Sequence, residues 1–231
     1  MIIGINGYAG SGKDTVGTII QYLHCHQHNR NESLQDILKE PSYHEWWLED
    51  ESGWEVKKWA GKLKLIASIL TGINENKFED QEFKKTDLSH QWSSPISGED
   101  WKDGKPVKVP MTVRDFLQKL GTDAIRNGLH TNAWVNALMA DYRKIDYNDD
   151  EQPEYPNWII TDTRFPNEAQ AIKDAGGIVI RVDRPGVKPI NDHPSEIGLD
   201  DWKFDYKIAN VSDLVSLSLT VLNILKQEKL L

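Results

Sequence analysis

The chain has 231 residues, of which 39% are hydrophobic and 27% charged, and its net charge is −9. This suits one α/β domain with insertions better than two independent domains. The acidic balance argues against a nucleic-acid binder, because duplex affinity comes from clustered Lys and Arg. The single cysteine, Cys25, excludes an intramolecular disulfide framework and a Cys-based zinc cluster, and fits a reducing cytoplasm. The N-terminus lacks the basic region of a signal peptide, and no apolar run approaches membrane-spanning length.

Met1–Ile5 is apolar and reads as a buried strand. Gly-Tyr-Ala-Gly-Ser-Gly-Lys-Asp-Thr follows at residues 7–15, and a helix is expected from Asp14 to about His26. Gly7, four residues, then Gly12-Lys13 is the P-loop spacing, in the strand–loop–helix setting that the spacing requires. Its glycines let successive N–H groups turn toward one anion, and the helix N-terminus adds its free donors and dipole. The implied ligand is the β- and γ-phosphates of a nucleoside triphosphate. One position departs from the pattern: Asp14 stands where a magnesium-binding Ser or Thr is expected, with Thr15 one place later.

Residues 27–53 read as a polar excursion anchored by Trp46-Trp47, with His24, His26 and His28 around Cys25 expected to form an exposed, polar helix end rather than a metal site. Trp54–Ala60 alternates as a strand does, and Gly61–Leu70 carries Leu63, Ile66, Ala67 and Leu70 on one helical face. Residues 72–111 are rich in Gly, Pro, Ser and charge, with Trp92 and Trp101 as isolated anchors. A structureless loop of that length is uncommon, so an ordered insertion or a mobile subdomain is expected. Thr112 caps a helix to about Asn127, and a second helix covers about Asn132–Arg143. Asn148–Glu151 marks an exposed loop.

Trp158–Thr161 reads as a buried strand ending at Asp162, followed by a helix over Asn167–Asp174, a Gly176-Gly177 turn and a strand at Ile178–Val182. Arg184 to about Lys203 is polar and proline-bearing; Tyr206–Ala209 is a last strand, and Ser212-Asp213 introduces a helix to about Gln227. Strands alternating with helices imply a parallel sheet with its chemistry at the strands' carboxyl ends. Asp162 and Arg164 fall there: an Asp can hold a hydrated Mg²⁺ or a substrate hydroxyl, and an Arg can grip a phosphate through two bonds. A structural Asp–Arg pair is the alternative, and Glu168 alone can be a helix-dipole partner. Arg114, Gln118 and Gly121 share a helical face at i, i+4, i+7, and spacing alone leaves function and solvation open. Trp134 is a core residue or a stacking plate for a base. Lys62 and Lys64 face phosphate or solvent, and Arg184, His193 and Glu196 fit a closing lid or an exposed loop.

Gly-Ser-Gly-Lys-Asp-Thr at 10–15, the block from Thr112 to Gln118 leading to Leu120-Gly121-Thr122-Asp123 and Arg126, Trp134, Asp162-Thr163-Arg164-Phe165-Pro166-Asn167-Glu168 and His193-Pro194-Ser195-Glu196 occur in this order. Together they resemble the bacteriophage deoxynucleoside monophosphate kinases, relatives of the adenylate and guanylate kinases, over nearly the whole chain. The resemblance implies one domain over 1–231 with a three-layer P-loop kinase fold: a central parallel sheet of about five strands, a monophosphate-binding insertion near 72–111 and a lid near 184–203. It implies transfer of the ATP γ-phosphoryl group to a deoxynucleoside monophosphate with Mg²⁺. Gly10, Ser11, Gly12, Lys13, Asp14 and Thr15 would then bind ATP, with Asp14 and Thr15 toward the metal. Arg184 would be a lid arginine and Asn210 a neighbour of the adenine. Arg114, Gln118, Gly121, Thr122, Trp134, Asp162, Arg164 and Glu168 would line the monophosphate site, with Lys13, Arg114 and Arg164 as the catalytic cations. The expected partners are nucleotides alone, with neither nucleic acid nor membrane; the setting is the host-cell cytoplasm and a homodimer the default oligomer. Residues 27–53 and 88–111 match no family motif. A P-loop kinase of a non-nucleotide acceptor and a nucleotide-dependent switch or assembly protein remain alternatives.

Overall fold

The computed structural model describes residues 1–25, 33–95, 101–102, 105–106, 108–145 and 154–231. His26 and His28, the loop at Asn148–Glu151 and the Trp101 side chain, all addressed above, lie outside what is described. The sheet strands are β1 (Ile2–Asn6), β2 (Trp54–Lys57), β3 (Asn157–Ile160), β4 (Ile178–Asp183) and β5 (Tyr206–Ala209). In chain order the helices are α1 (Lys13–His24), α2 (Leu34–Lys39), α3 (Pro41–Ser52), α4 (Gly61–Thr71), α5 (Val113–Gln118), α6 (Ala133–Met139), α7 (Pro166–Asp174), α8 (Pro194–Ile197) and α9 (Leu214–Gln227). None is long and apolar enough to cross a membrane.

Met1–Trp59 and Leu138–Leu231 form one compact unit, built on the sheet. All four strand pairings are parallel, in the order β2-β3-β1-β4-β5. Every residue of β1 is buried, as a parallel strand covered on both faces demands. Ile3 and Ile5 of β1, with Ile159, Ile178, Ile180 and Val182, join Val16, Ile19 and Ile20 of α1 and Leu217, Val221 and Ile224 of α9 in one core. On the other face Ile172 of α7 lies over Gly4, where a Cβ would come within 2.4 Å of Ile172 Cδ1. Helix, sheet and helix therefore stack as three layers, the expected α/β architecture with its five parallel strands.

The described part of the polar excursion, residues 33–53, is more ordered than its composition indicates. Ser33 caps α2 by accepting the Asp36 N–H, and Gly53, in the left-handed region at φ 66°, ends α3. Trp47 is buried with Cys25, Ile37 and Leu48, whereas Trp46 is exposed, so one of the two tryptophans is the anchor. The strand expected over 54–60 stops at Lys57.

Ala60–Ala137 is the second compact unit. Its own core gathers Ala67, Phe78, Leu88, Val113 and Phe116, with Trp92 edge-on to Phe116 at 4.9 Å. The described residues of the long polar stretch are thus ordered by short 3₁₀ helices at Glu75–Glu79, Phe83–Lys85 and His90–Trp92 and by two short antiparallel pairs. The helix expected from Thr112 to Asn127 begins with a capping box between Thr112 and Asp115 but widens into a π-helix over Lys119–Asn127. Lys64, considered above as a phosphate ligand, is buried and ion-paired with Glu79.

A Cβ at Gly177 would lie 2.4 Å from the Ile2 carbonyl oxygen, 2.7 Å from Ile172 Cγ2 and 2.9 Å from the Ile172 carbonyl oxygen, and the two carbonyls are backbone atoms that cannot swing aside. Gly177→Ala is therefore expected to cost about 1–3 kcal/mol in urea denaturation. Gly61→Ala, which meets nothing within 4 Å, should change stability by less than about 0.5 kcal/mol.

Candidate active site

The loop between β1 and α1 is shaped by what it lacks. Gly10 and Gly12 hold φ of 85° and 96°, the left-handed region closed to most side chains. A Cβ at Gly7 would sit 2.7 Å from the Val182 carbonyl oxygen, and one at Gly12 2.5 Å from Asn210 Nδ2. The ends of β4 and β5 therefore press directly on the loop. Asn210 Nδ2 also donates to the Ser11 carbonyl at 2.9 Å, while the Asn210 N–H donates to Asp183, so Asn210 braces the loop from the end of β5. Ser11 is buried, and its hydroxyl has no partner among the described residues. Arg184 reaches the loop at the Gly10 carbonyl, 3.5 Å away, at the limit of a hydrogen bond.

Lys13 Nζ lies 3.0 Å from Asp14 Oδ2, and Thr161, one residue past β3, donates its hydroxyl to Asp14 Oδ1 at 2.8 Å. Desolvation pushes the Asp14 carboxyl up, but the charge of Lys13, the Thr161 and Lys13 hydrogen bonds and the charge of Lys58 together hold it below the usual carboxylate range. Thr15 sits beside this pair in the first turn of α1. In most P-loops the loop supplies a hydroxyl and the neighbouring strand end a carboxylate; here Asp14 and Thr161 exchange those positions. Sequence reading missed Thr161. Its signal was the alternation of β3, since 159 and 161 face the same way and Ile159 faces α1. Asp162 accepts the Trp59 N–H at 2.8 Å, tying the end of β2 to that of β3.

Glu168 is 2% exposed and does not face solvent. Its Oε2 accepts the Arg164 and Phe165 N–H groups at 2.8 and 3.0 Å, fixing the backbone at the start of α7. The Arg164 guanidinium donates through Nη1 to the Ser195 carbonyl and to Glu196 Oε1, at 3.1 and 2.7 Å. Of the expected lid, Arg184–Gly186 is exposed, whereas Leu199 is buried and Asp200 accepts the Tyr8 hydroxyl at 2.8 Å. Burial pushes the Tyr8 phenol up and keeps that hydroxyl a donor. The Arg181 guanidinium lies 4.4 Å from the Tyr8 ring centre and bonds Asn6 and Asp183, closing a network around the loop's first residues.

In the second unit, Arg114 donates to Gln81 at 3.3 Å, and Gln118 and Thr122 are half-buried. Gly121 is buried against Leu63, whose Cδ2 a Cβ would meet at 2.9 Å. Its small size therefore serves helix packing. Trp134 is 7% exposed and donates its indole N–H to the Gly121 carbonyl at 2.9 Å. That bond satisfies a carbonyl in a π-helix, a geometry frequent at functional sites. Of the stripe that spacing left open, Gly121 packs against Leu63, and Trp134 lies among the core residues.

A parallel sheet with a glycine-rich loop, lysine and helix N-terminus after its central strand defines a P-loop phosphotransferase fold. A model of the family described as deoxynucleotide monophosphate kinase matches residues 73–221, and the chain belongs to this family. The match begins beyond the P-loop, so the loop is an independent observation. The deoxynucleoside-5'-monophosphate kinase of Escherichia phage T5 is 25% identical over 252 residues, covering 96% of this chain and 95% of its own. The deoxynucleotide monophosphate kinase of Enterobacteria phage T4 is 36% identical over 120 residues, about half of each chain (52% and 48%). A protein of Acanthamoeba polyphaga mimivirus, provisionally named as a deoxynucleotide monophosphate kinase, is 26% identical over 91% of this chain and 88% of its own.

The helix end expected to be exposed is buried at His24 and Cys25, where His24 bonds the Ile20 and Leu230 carbonyls, and Cys25 takes no part in the site geometry. Burial, and then the charge of Glu51, push its thiol up to about 11. A disulfide reagent at pH 8 is expected to leave it unmodified in the native protein and to label it fully once the chain is unfolded; rapid native labelling would contradict this burial.

Proposed function

We propose that this enzyme transfers the γ-phosphoryl group of ATP to a deoxynucleoside monophosphate, giving the diphosphate and ADP. The observation that carries the reading is the loop at Gly7–Thr15, with its left-handed glycines, its buried Ser11 and Lys13 at its end, in a chain of the deoxynucleotide monophosphate kinase family. Family membership favours a nucleotide acceptor over the non-nucleotide one considered above.

Lys13 and the loop N–H groups of Gly10, Ser11 and Gly12 hold the donor phosphates, with Arg184 closing over them and Asn210 beside the adenine. The acceptor is already an anionic phosphate oxygen, so the reaction needs positioning and charge neutralisation more than a base. In the sheet unit Arg164 grips that phosphate and Asp162 orients the monophosphate; the resemblance assigns Arg114, Gln118 and Thr122 of the second unit to the same substrate. Glu168 holds the backbone of Arg164, and Gly121 and Trp134 hold the π-helix. The donors near Lys13 are all oxygen, the Asp14 carboxylate and the Thr15 and Thr161 hydroxyls, and fit a hard cation such as Mg²⁺. When bound there, Mg²⁺ would neutralise charge on the triphosphate. Among the described residues no cluster of three or more His, Cys, Asp or Glu forms a cage, and Mg²⁺ held mainly by phosphate and water needs none. The proposed setting is the cytoplasm, with a homodimer as the default assembly.

Steady-state kinetics on two variants test the assignment. Lys13→Ala should lower kcat by about 10²–10³-fold; near-normal turnover would contradict it. Arg164→Ala should raise the monophosphate KM about tenfold or more while the ATP KM stays within about twofold. Equal damage to both substrates would make Arg164 structural.

A further inference from the structure

Glu196 was expected either in a lid or exposed in a loop. Its side chain is instead 4% exposed, and its carboxylate lies 2.7 Å from Arg164 Nη1. A carboxylate withdrawn from water to that degree requires a charged partner, and Arg164 supplies it while its own side chain stays 37% exposed. Both contacts of the guanidinium, to Glu196 and to the Ser195 carbonyl, fall on Nη1. Nε and Nη2 make no hydrogen bond among the described residues, which leaves that edge of the fork open to a two-oxygen acceptor.

The backbone around the pair is fixed from both sides. Glu168 accepts the Arg164 N–H. Past α8, a Cβ at Gly198 would lie 2.9 Å from the Arg164 carbonyl oxygen, so the two segments are in direct contact. His193 caps α8 by accepting the Ser195 N–H, which sets the turn that carries Glu196.

We propose that Glu196 is a positioning residue for the acceptor phosphate: it holds Arg164 by Nη1 so that the Nε–Nη2 edge meets the monophosphate. This rests on the reading of Arg164 as a phosphate ligand. Glu196 touches no substrate and acts through Arg164 alone.

The test is a double-mutant cycle on the full-length enzyme with ATP and a deoxynucleoside monophosphate, with melting temperatures for every variant. Glu196→Ala should raise the monophosphate KM about tenfold, leave the ATP KM within about twofold, and add nothing in an Arg164→Ala background. Glu196→Gln keeps the oxygen that accepts from Nη1 and should fall between Glu196→Ala and wild type; it serves as the probe should Glu196→Ala not fold. An unchanged monophosphate KM in both Glu196 variants overturns the proposal. So does an equal further loss in the Arg164→Ala background, which marks a purely structural role, or a lowered KM, which marks Glu196 as a competitor of the phosphate. If Arg164→Ala itself leaves the monophosphate KM unchanged, the reading of Arg164 fails instead.

Discussion

At Gly7 and Gly12 the chain can carry nothing larger than hydrogen, because the Val182 carbonyl and the Asn210 amide occupy the space a Cβ would take. This close approach is the constraint on which the rest of the site depends. It lets the turn after the central strand sit tightly against the ends of β4 and β5, with its amides free to gather round an anion. The bond from Thr161 to Asp14 adds the end of β3. Three neighbouring strand ends thus bear on one loop, and the loop inherits the rigidity of the sheet.

The same arrangement accounts for the departure at Asp14. A carboxylate next to Lys13 in a P-loop would compete for the lysine that the phosphates need. Here Thr161 shares the load, holding Oδ1 while Lys13 meets Oδ2. The carboxylate at Asp14 is thereby tied to the strand end by the Thr161 hydroxyl. At the proposed acceptor residue the logic is similar: Arg164 is held by its backbone through Glu168 and by one guanidinium nitrogen through Glu196. Binding residues that arrive already oriented need not lose that freedom when substrate binds.

Much of this was legible in the sequence because it is local. Apolar runs fixed the sheet strands, and Gly-x-x-x-x-Gly-Lys fixed the loop. What escaped was set by packing between distant segments. Glu168 reads as a helix-dipole partner or a ligand, and only the fold shows its carboxylate spent on the two N–H groups before α7. Gly121 suggests close ligand approach, yet Leu63 fills the space. The helix after Thr112 carries an α-helical pattern and a proper cap, but the Trp134 bond to the Gly121 carbonyl accompanies a π-helix that no periodicity announces. The described parts of the stretches at 27–53 and 72–111 lacked clear periodicity because single aromatic residues, Trp47, Phe78 and Trp92, organise them rather than repeating apolar faces.

The proposed reaction passes the terminal phosphoryl group of a triphosphate on the loop to a deoxynucleoside monophosphate, and phosphorus NMR of the protein with Mg-ATP and each of the four deoxynucleoside monophosphates in turn reads it out. Matched growth of a deoxynucleoside diphosphate and ADP is expected with at least one of the four. Binding and slow hydrolysis of ATP that no monophosphate diverts into diphosphate would contradict it.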